Sequence, residues 1–198
     1  MPDIALTPSK GGGRSIAAGT LKPTDIIVST TGHFVSKAIR FGTMSAVSHA
    51  MLYTGNDSAA EAVGDGVREV SLGIALTDAS LAVAYRRNDL TGDNIKEILQ
   101  FVREKAAMKS GYDYSGLVGA GARANGLVCV ALGAVGCSIA NLGGFSSSSK
   151  FFCSELVLEA FRRVNKPITS GRPDTSNPGQ IPGAVSTGVL TYVGHLIA

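Results

Sequence analysis

Ser149-Lys150-Phe151-Phe152-Cys153-Ser154-Glu155-Leu156-Val157 is the stretch from which the fold can be read. Before it, Ser146 to Ser149 form a serine run suited to a loop or a helix cap. After it, Val157, Ala160, Phe161 and Val164 recur at helical spacing, with Glu159, Arg162 and Arg163 between them. The pattern predicts an amphipathic helix with Cys153 in its first turn and Ser149 as its cap. Free backbone N–H groups and the positive end of the helix dipole stabilise a thiolate there, which activates a cysteine as a nucleophile. Taken alone, the stretch fits equally a buried cysteine acting as a small hydrophobe.

Directly upstream lies a Gly/Ala-rich apolar segment, Leu117 to Gly144, centred on Leu127 to Cys137. Arg123 and Asn125 leave roughly 15 residues before Asn141, short of the roughly 20 that a membrane span needs. A buried or surface-lying helical hairpin is expected, with membrane insertion as the minor alternative. Before it, Ile95, Ile98, Leu99, Val102 and Ala106 form one helical stripe, which starts after Thr91-Gly92-Asp93 and ends near Lys109-Ser110-Gly111.

The region before that helix has the period of strands. Ile26 to Ser29 is a short apolar run, followed after Gly32 by a helical pattern over Phe34 to Phe41. Val47 to Tyr53 and Ala59 to Val63 flank a Gly55-Asn56-Asp57-Ser58 turn and predict a β-hairpin. Gly64-Asp65-Gly66 leads into Val67 to Leu72, which alternates with period two, and Leu81 to Arg87 adds another strand. After the cysteine helix, a polar, proline-punctuated stretch runs from Lys166 to Pro182, and residues 184–197 form a last short helix or strand. The fold class expected is α+β, an antiparallel sheet of about four to six strands packed on helices. Residues 1–20, with Gly11-Gly12-Gly13, read as a flexible leader and 21–198 as one domain, with 117–144 as an apolar insertion.

Composition narrows the function. The 198 residues are 44% hydrophobic and 17% charged with net charge +3, and without a long basic run nucleic acid is not an expected partner. The odd cysteine count (Cys129, Cys137 and Cys153) and the lack of a CxxC pair argue against a disulfide framework and against zinc. Cys129 and Cys137 lie in apolar sequence and read as core. Met1 to Thr20 lacks the apolar stretch of a secretory signal, so a cytoplasmic location, or export by a route without a cleaved signal, is expected.

A catalytic thiolate needs an imidazole to share its proton and a polar group to fix that imidazole. His195 stands among apolar residues near the C-terminus and reads as packed or terminal, and His33 as a cap or surface residue. His49 lies on the first hairpin strand, twelve residues before Glu61 on the second. Glu61 interrupts the apolar run Ala59-Ala60-Glu61-Ala62-Val63, and a buried carboxylate there needs a partner such as an imidazole N–H. Spacing alone does not establish the contact.

Pro23-Thr24-Asp25-Ile26-Ile27, Ser48-His49-Ala50-Met51-Leu52-Tyr53-Thr54-Gly55, Glu61-Ala62, Tyr112-Asp113-Tyr114 and Phe152-Cys153-Ser154-Glu155-Leu156-Val157 occur in that order. Together they resemble a circularly permuted NlpC-type papain-like hydrolase. In its permuted branch, which includes lecithin:retinol acyltransferase-like proteins and bacterial YiiX-like amidases, histidine precedes cysteine, as here. The resemblance implies Cys153 as nucleophile, His49 as general base and Glu61 as the residue orienting the imidazole. It implies Tyr112, Tyr114, Ser48 and Ser154 along the substrate path and Asp25 as a turn residue, with no metal and no cofactor. Tyr112-Asp113-Tyr114 mimics the nucleophile motif of unpermuted relatives, but Tyr114 stands where the cysteine would be and cannot attack.

The implied activity is a cysteine amidase or peptidase acting on a peptide or acyl-amide, foremost in peptidoglycan. Two alternatives are a lipid-directed thioesterase or acyltransferase and a non-catalytic binding module. A small wall-directed hydrolase without a signal also fits an antibacterial effector toxin, which would bring a cognate immunity protein and a delivery protein as partners; a membrane is not an expected partner.

Overall fold

The structure is a computed structural model that describes residues 13–31, 47–63, 66–108, 111–112 and 150–196. The helix expected over Phe34 to Phe41 and the apolar segment Leu117 to Gly144 lie outside the described residues.

The architecture is mixed α/β. Its centre is a seven-stranded sheet formed by β1 (Ser15–Ile16), β2 (Ile26–Thr31), β3 (His49–Gly55), β4 (Ser58–Val63), β5 (Gly66–Ser71), β6 (Ala79–Arg86) and β9 (Thr191–Leu196). The spatial order is β1-β9-β6-β2-β3-β4-β5. All neighbours pair antiparallel except β1 and β9, which pair parallel. Four helices accompany it among the described residues: α1 (Leu72–Ala75), α2 (Gly92–Ala107), α3 (Cys153–Arg163) and α4 (Gln180–Gly183). No helix among the described residues is long and apolar enough to cross a membrane.

The expected hairpin forms as β3–β4. Asn56 and Asp57 both take positive φ, 48° and 56°, as the two central residues of a type I′ turn require. The turn fixes the register, with Met51 directly opposite Glu61. The continuous apolar run Ile26-Ile27-Val28 is explained by burial on both sheet faces. Ile26 and Val28 join one cluster with Ala50, Leu52, Val83 and Tyr85, and Ile27 joins the other with Met51, Tyr53 and Ala84. The first cluster is closed by α2, through Ile98, Phe101 and Val102, and by α3, through Leu156, Val157, Ala160 and Phe161.

Two expectations change. The sheet has seven strands because both chain ends contribute: Thr191–Leu196 forms β9, and Ser15–Ile16, expected within the leader, pairs beside it. Ile16 is buried and the Arg14 carbonyl accepts from the His195 N–H at 2.8 Å, so residues 14–16 pack onto the sheet. Gly194 permits this close approach. It sits at φ +156°, and a Cβ there would come within 2.5 Å of Ile16 Cγ2 and 2.9 Å of the Arg14 carbonyl oxygen. Gly194→Ala is therefore expected to destabilise the domain by about 1–3 kcal/mol through overpacking, read as a lower urea midpoint at unchanged slope.

Candidate active site

The cap of the cysteine helix lies three residues beyond Ser149, where the serine run suggests it. Phe152 is the N-cap, with extended dihedrals (φ −97°, ψ 165°), and Cys153 is the first helical residue. Ser149 lies outside the described residues. Glu155 replaces the expected hydroxyl: its carboxylate reaches back to accept the Phe152 N–H at 3.4 Å and brings negative charge to the positive end of the helix. Val157, Ala160, Phe161 and Val164 are buried as the spacing predicts, and Leu156 and Leu158 are buried with them. This packing fixes the start of α3 against the sheet.

His49 opens β3. Because Met51 is directly opposite Glu61, His49 stands diagonally across the hairpin from that carboxylate, within reach of a long side chain. His49 Nε2–H donates to Glu61 Oε2 at 2.7 Å. The Cys153 side chain is near enough to the His49 ring to interact with it. With Nε2 committed to Glu61, Nδ1 is the ring nitrogen left for the thiol. The Cys153 Sγ also lies 4.0 Å from the Ser48 carbonyl oxygen. Cys153 is buried and the His49 side chain is 21% exposed, so the site opens to solvent on the imidazole side.

The electrostatics follow from these contacts. Burial alone disfavours the charged imidazolium, but hydrogen bonds and charge interactions with Cys153 and Glu61 outweigh it and push the His49 pKa up to about 10. Burial would likewise raise the Glu61 carboxyl, yet His49 and Arg68 hold it below its ordinary value. The structure thus favours the charged imidazolium beside the Glu61 carboxylate.

Stability should depend on pH accordingly. His49 starts from an ordinary value of 6.5 and is raised to about 10, so its contribution is fully present below 6.5 and is lost as pH rises towards 10. Glu61 starts from 4.5 and is lowered, so its contribution is present above 4.5 and is lost as pH falls below it. Urea midpoints are expected to decline from pH 7 to pH 10 in the parent and to decline less in His49→Gln.

The other expected site residues have different placements. Ser48 is buried, and what it offers Cys153 is its backbone carbonyl. Ser154 is fully buried and its hydroxyl donates to the Ser176 carbonyl at 3.0 Å, tying α3 to the 3₁₀ turn Pro173–Thr175 and its following residue. Its hydroxyl proton is thus committed to the backbone, inside the protein. Tyr112 belongs to β7 (Gly111–Tyr112), which pairs parallel with β8 (Lys150–Phe151), with Tyr112 opposite Phe151. Its backbone therefore runs beside the residues that lead into Cys153. Tyr114 and His33 lie outside the described residues. His195 is on β9, separated from β3 by β6 and β2, and accepts or donates one hydrogen bond with the Tyr192 hydroxyl at 2.7 Å. Asp25 is a turn residue as expected, accepting the Lys22 N–H at 2.8 Å. Sequence reading missed Arg68, whose guanidinium binds Oε1 of Glu61. The available signal was that a carboxylate has two oxygens to satisfy and one imidazole satisfies only one.

No family model matches the chain. It is 29% identical over 205 residues to the probable lipoprotein peptidase YaeF of Escherichia coli K12, an alignment that spans 92% of this chain and 73% of YaeF. Its fold is similar to the crystal structure of the metalloprotein YiiX from Escherichia coli O157:H7, with a TM-score of 0.54 and 17% identity, covering 90% of this chain and 89% of YiiX. The likeness to YiiX is one of fold.

Proposed function

We propose that the chain is a cysteine hydrolase of the permuted papain-like type, which cleaves an amide bond through Cys153, His49 and Glu61. The observation that carries the reading is the 2.7 Å bond from His49 Nε2 to Glu61, which leaves the other ring nitrogen for a cysteine at the first position of a helix. The similarity to a probable lipoprotein peptidase supports it.

In the reaction proposed, the Cys153 sulfur attacks the carbonyl carbon as a thiolate. The oxyanion is held in part by the Cys153 backbone N–H, at the helix end where such groups have no intrahelical partner. The His49 imidazolium gives its proton to the leaving nitrogen, the C–N bond breaks, and an acyl thioester remains on Cys153. His49, now neutral, takes a proton from water as it attacks the thioester, and the acid and the thiolate–imidazolium pair are released and restored. Glu61 stays ionised throughout and keeps the ring in register.

The description of YiiX as a metalloprotein prompts a test of these residues as metal ligands. They do not suit a cation. Both Glu61 oxygens are occupied, Oε2 by His49 and Oε1 by Arg68, and the Arg68 guanidinium lies 2.6 Å from Oε1. A divalent ion would have to displace that cation or sit against it. Chelation followed by zinc is therefore expected to leave activity unchanged; loss on chelation with recovery on zinc would refute the assignment.

The substrate proposed is a peptide amide, with the peptides of peptidoglycan foremost. Incubation with purified peptidoglycan and, separately, with phospholipid vesicles decides between peptide and lipid chemistry. New amino groups from peptidoglycan are expected; fatty acid released from the vesicles without new amino groups would move the reading to the lipid-directed alternative.

A further inference from the structure

We propose that Arg68 is a positioning residue of this site, acting on His49 through Glu61; the inference rests on the triad reading above. Arg68 is directly opposite Glu61 in the β4–β5 ladder. Its Nε and Nη2 both donate to Glu61 Oε1, at 2.8 and 2.6 Å, while Oε2 accepts from His49 at 2.7 Å. Each oxygen of one carboxylate therefore faces a different cationic or polar partner on either side of β4. The carboxylate cannot turn about its last bond without breaking all three charge-assisted bonds.

The clamp has two consequences. First, it decides which oxygen meets the imidazole, and a ring held at one edge by a fixed acceptor keeps its other nitrogen aimed at Cys153. Second, it balances charge. Glu61 is 3% exposed, and the Arg68 guanidinium offsets the cost of burying that carboxylate. The Arg68 side chain is 46% exposed, so the cation itself keeps its solvation and imposes little burial cost. Planar fork geometry suits this role, whereas a lysine supplies the charge alone.

The test uses the full chain with Arg68→Met, Arg68→Lys, His49→Ala, Glu61→Ala and the double variant Glu61→Ala/Arg68→Met. The rate of Cys153 alkylation by iodoacetamide at pH 7 is read by peptide mass spectrometry, so that Cys129 and Cys137 do not contribute. Arg68→Met is expected to slow alkylation about tenfold and Arg68→Lys to stay within about threefold of the parent, the sizes of a charged hydrogen bond lost and of a charge retained. Adding Arg68→Met to Glu61→Ala is expected to change nothing further, because the arginine acts only through that carboxylate. Since β5 is an edge strand and Arg68 is partly exposed, the variants are expected to fold; should Arg68→Met not, Arg68→Gln is read against the same tenfold loss. A parent-like rate in Arg68→Met, or an effect that adds in full to Glu61→Ala, overturns the proposal. Failure of the triad reading looks different: His49→Ala would then itself leave the rate unchanged.

Discussion

Replacing Cys153 by alanine is expected to reduce amide hydrolysis by roughly 10³-fold or more, and replacing His49 by alanine to reduce it about as much. The double variant should be no worse than either single one, since the thiol and the imidazole act as one unit and neither works without the other. The expectation follows from the position of His49, bonded to Glu61 and set beside Cys153. Cys153→Ala removes one buried sulfur and leaves the apolar packing of Leu156, Val157, Ala160 and Phe161 in place, so the fold should survive. Far-UV circular dichroism alongside the assay separates loss of chemistry from loss of structure. Cys129→Ala and Cys137→Ala are expected to keep activity. A Cys153→Ala variant as active as the parent would end the enzyme reading.

The largest effect on stability is expected at Arg86. Its Nε and Nη2 donate to the two Asp25 oxygens at 2.7 and 2.6 Å, a bidentate pair in which Asp25 is 1% exposed. Burial of that carboxylate is offset by the guanidinium and by the Lys22 N–H. The pair holds the turn that leads into β2, where Thr24 takes φ 73° and bonds the Tyr53 carbonyl at 2.8 Å, while Tyr53 N–H returns to the Asp25 carbonyl at 2.8 Å. Arg86→Met leaves a buried charge without its partner and is expected to cost about 3 kcal/mol, the low end for breaking a buried pair, because Arg86 keeps 22% of its side chain exposed. Urea unfolding should show a lower midpoint at unchanged slope. Adding Asp25→Asn should recover part of the loss, since the orphaned charge goes with it. A single variant within 1 kcal/mol of the parent would show that water reaches Asp25 more freely than its burial implies.

The parts of the site that were legible in sequence were those set by local rules. The Asn56-Asp57 turn fixes the hairpin register, and the register places His49 diagonal to Glu61. Helical spacing from Val157 to Val164 places Cys153 at the start of its helix. Contacts between distant parts of the chain were not legible. Two-residue strands such as Ser15–Ile16 are too short to show a period, and their pairing with β9 spans 180 positions between Ser15 and His195. The cap of α3 was misplaced because any serine run looks like a cap, whereas Phe152 is held by the backward reach of Glu155. Ser154, which the resemblance sets along the substrate path, is turned by the helix toward Ser176, a contact that no local pattern announces. Arg68 alternates with Val67 as a surface residue would, and only the β4–β5 register reveals that it faces Glu61.

The measurement closest to the central claim is the covalent state of Cys153 during turnover. Parent protein is mixed with soluble peptidoglycan peptides, quenched in acid within the first turnovers, and digested for peptide mass spectrometry. An acyl fragment in thioester linkage to Cys153 is predicted, cleared by hydroxylamine and absent in the His49→Ala variant. Amide cleavage with no adduct on Cys153, or with the adduct on Cys129 or Cys137, would contradict the account.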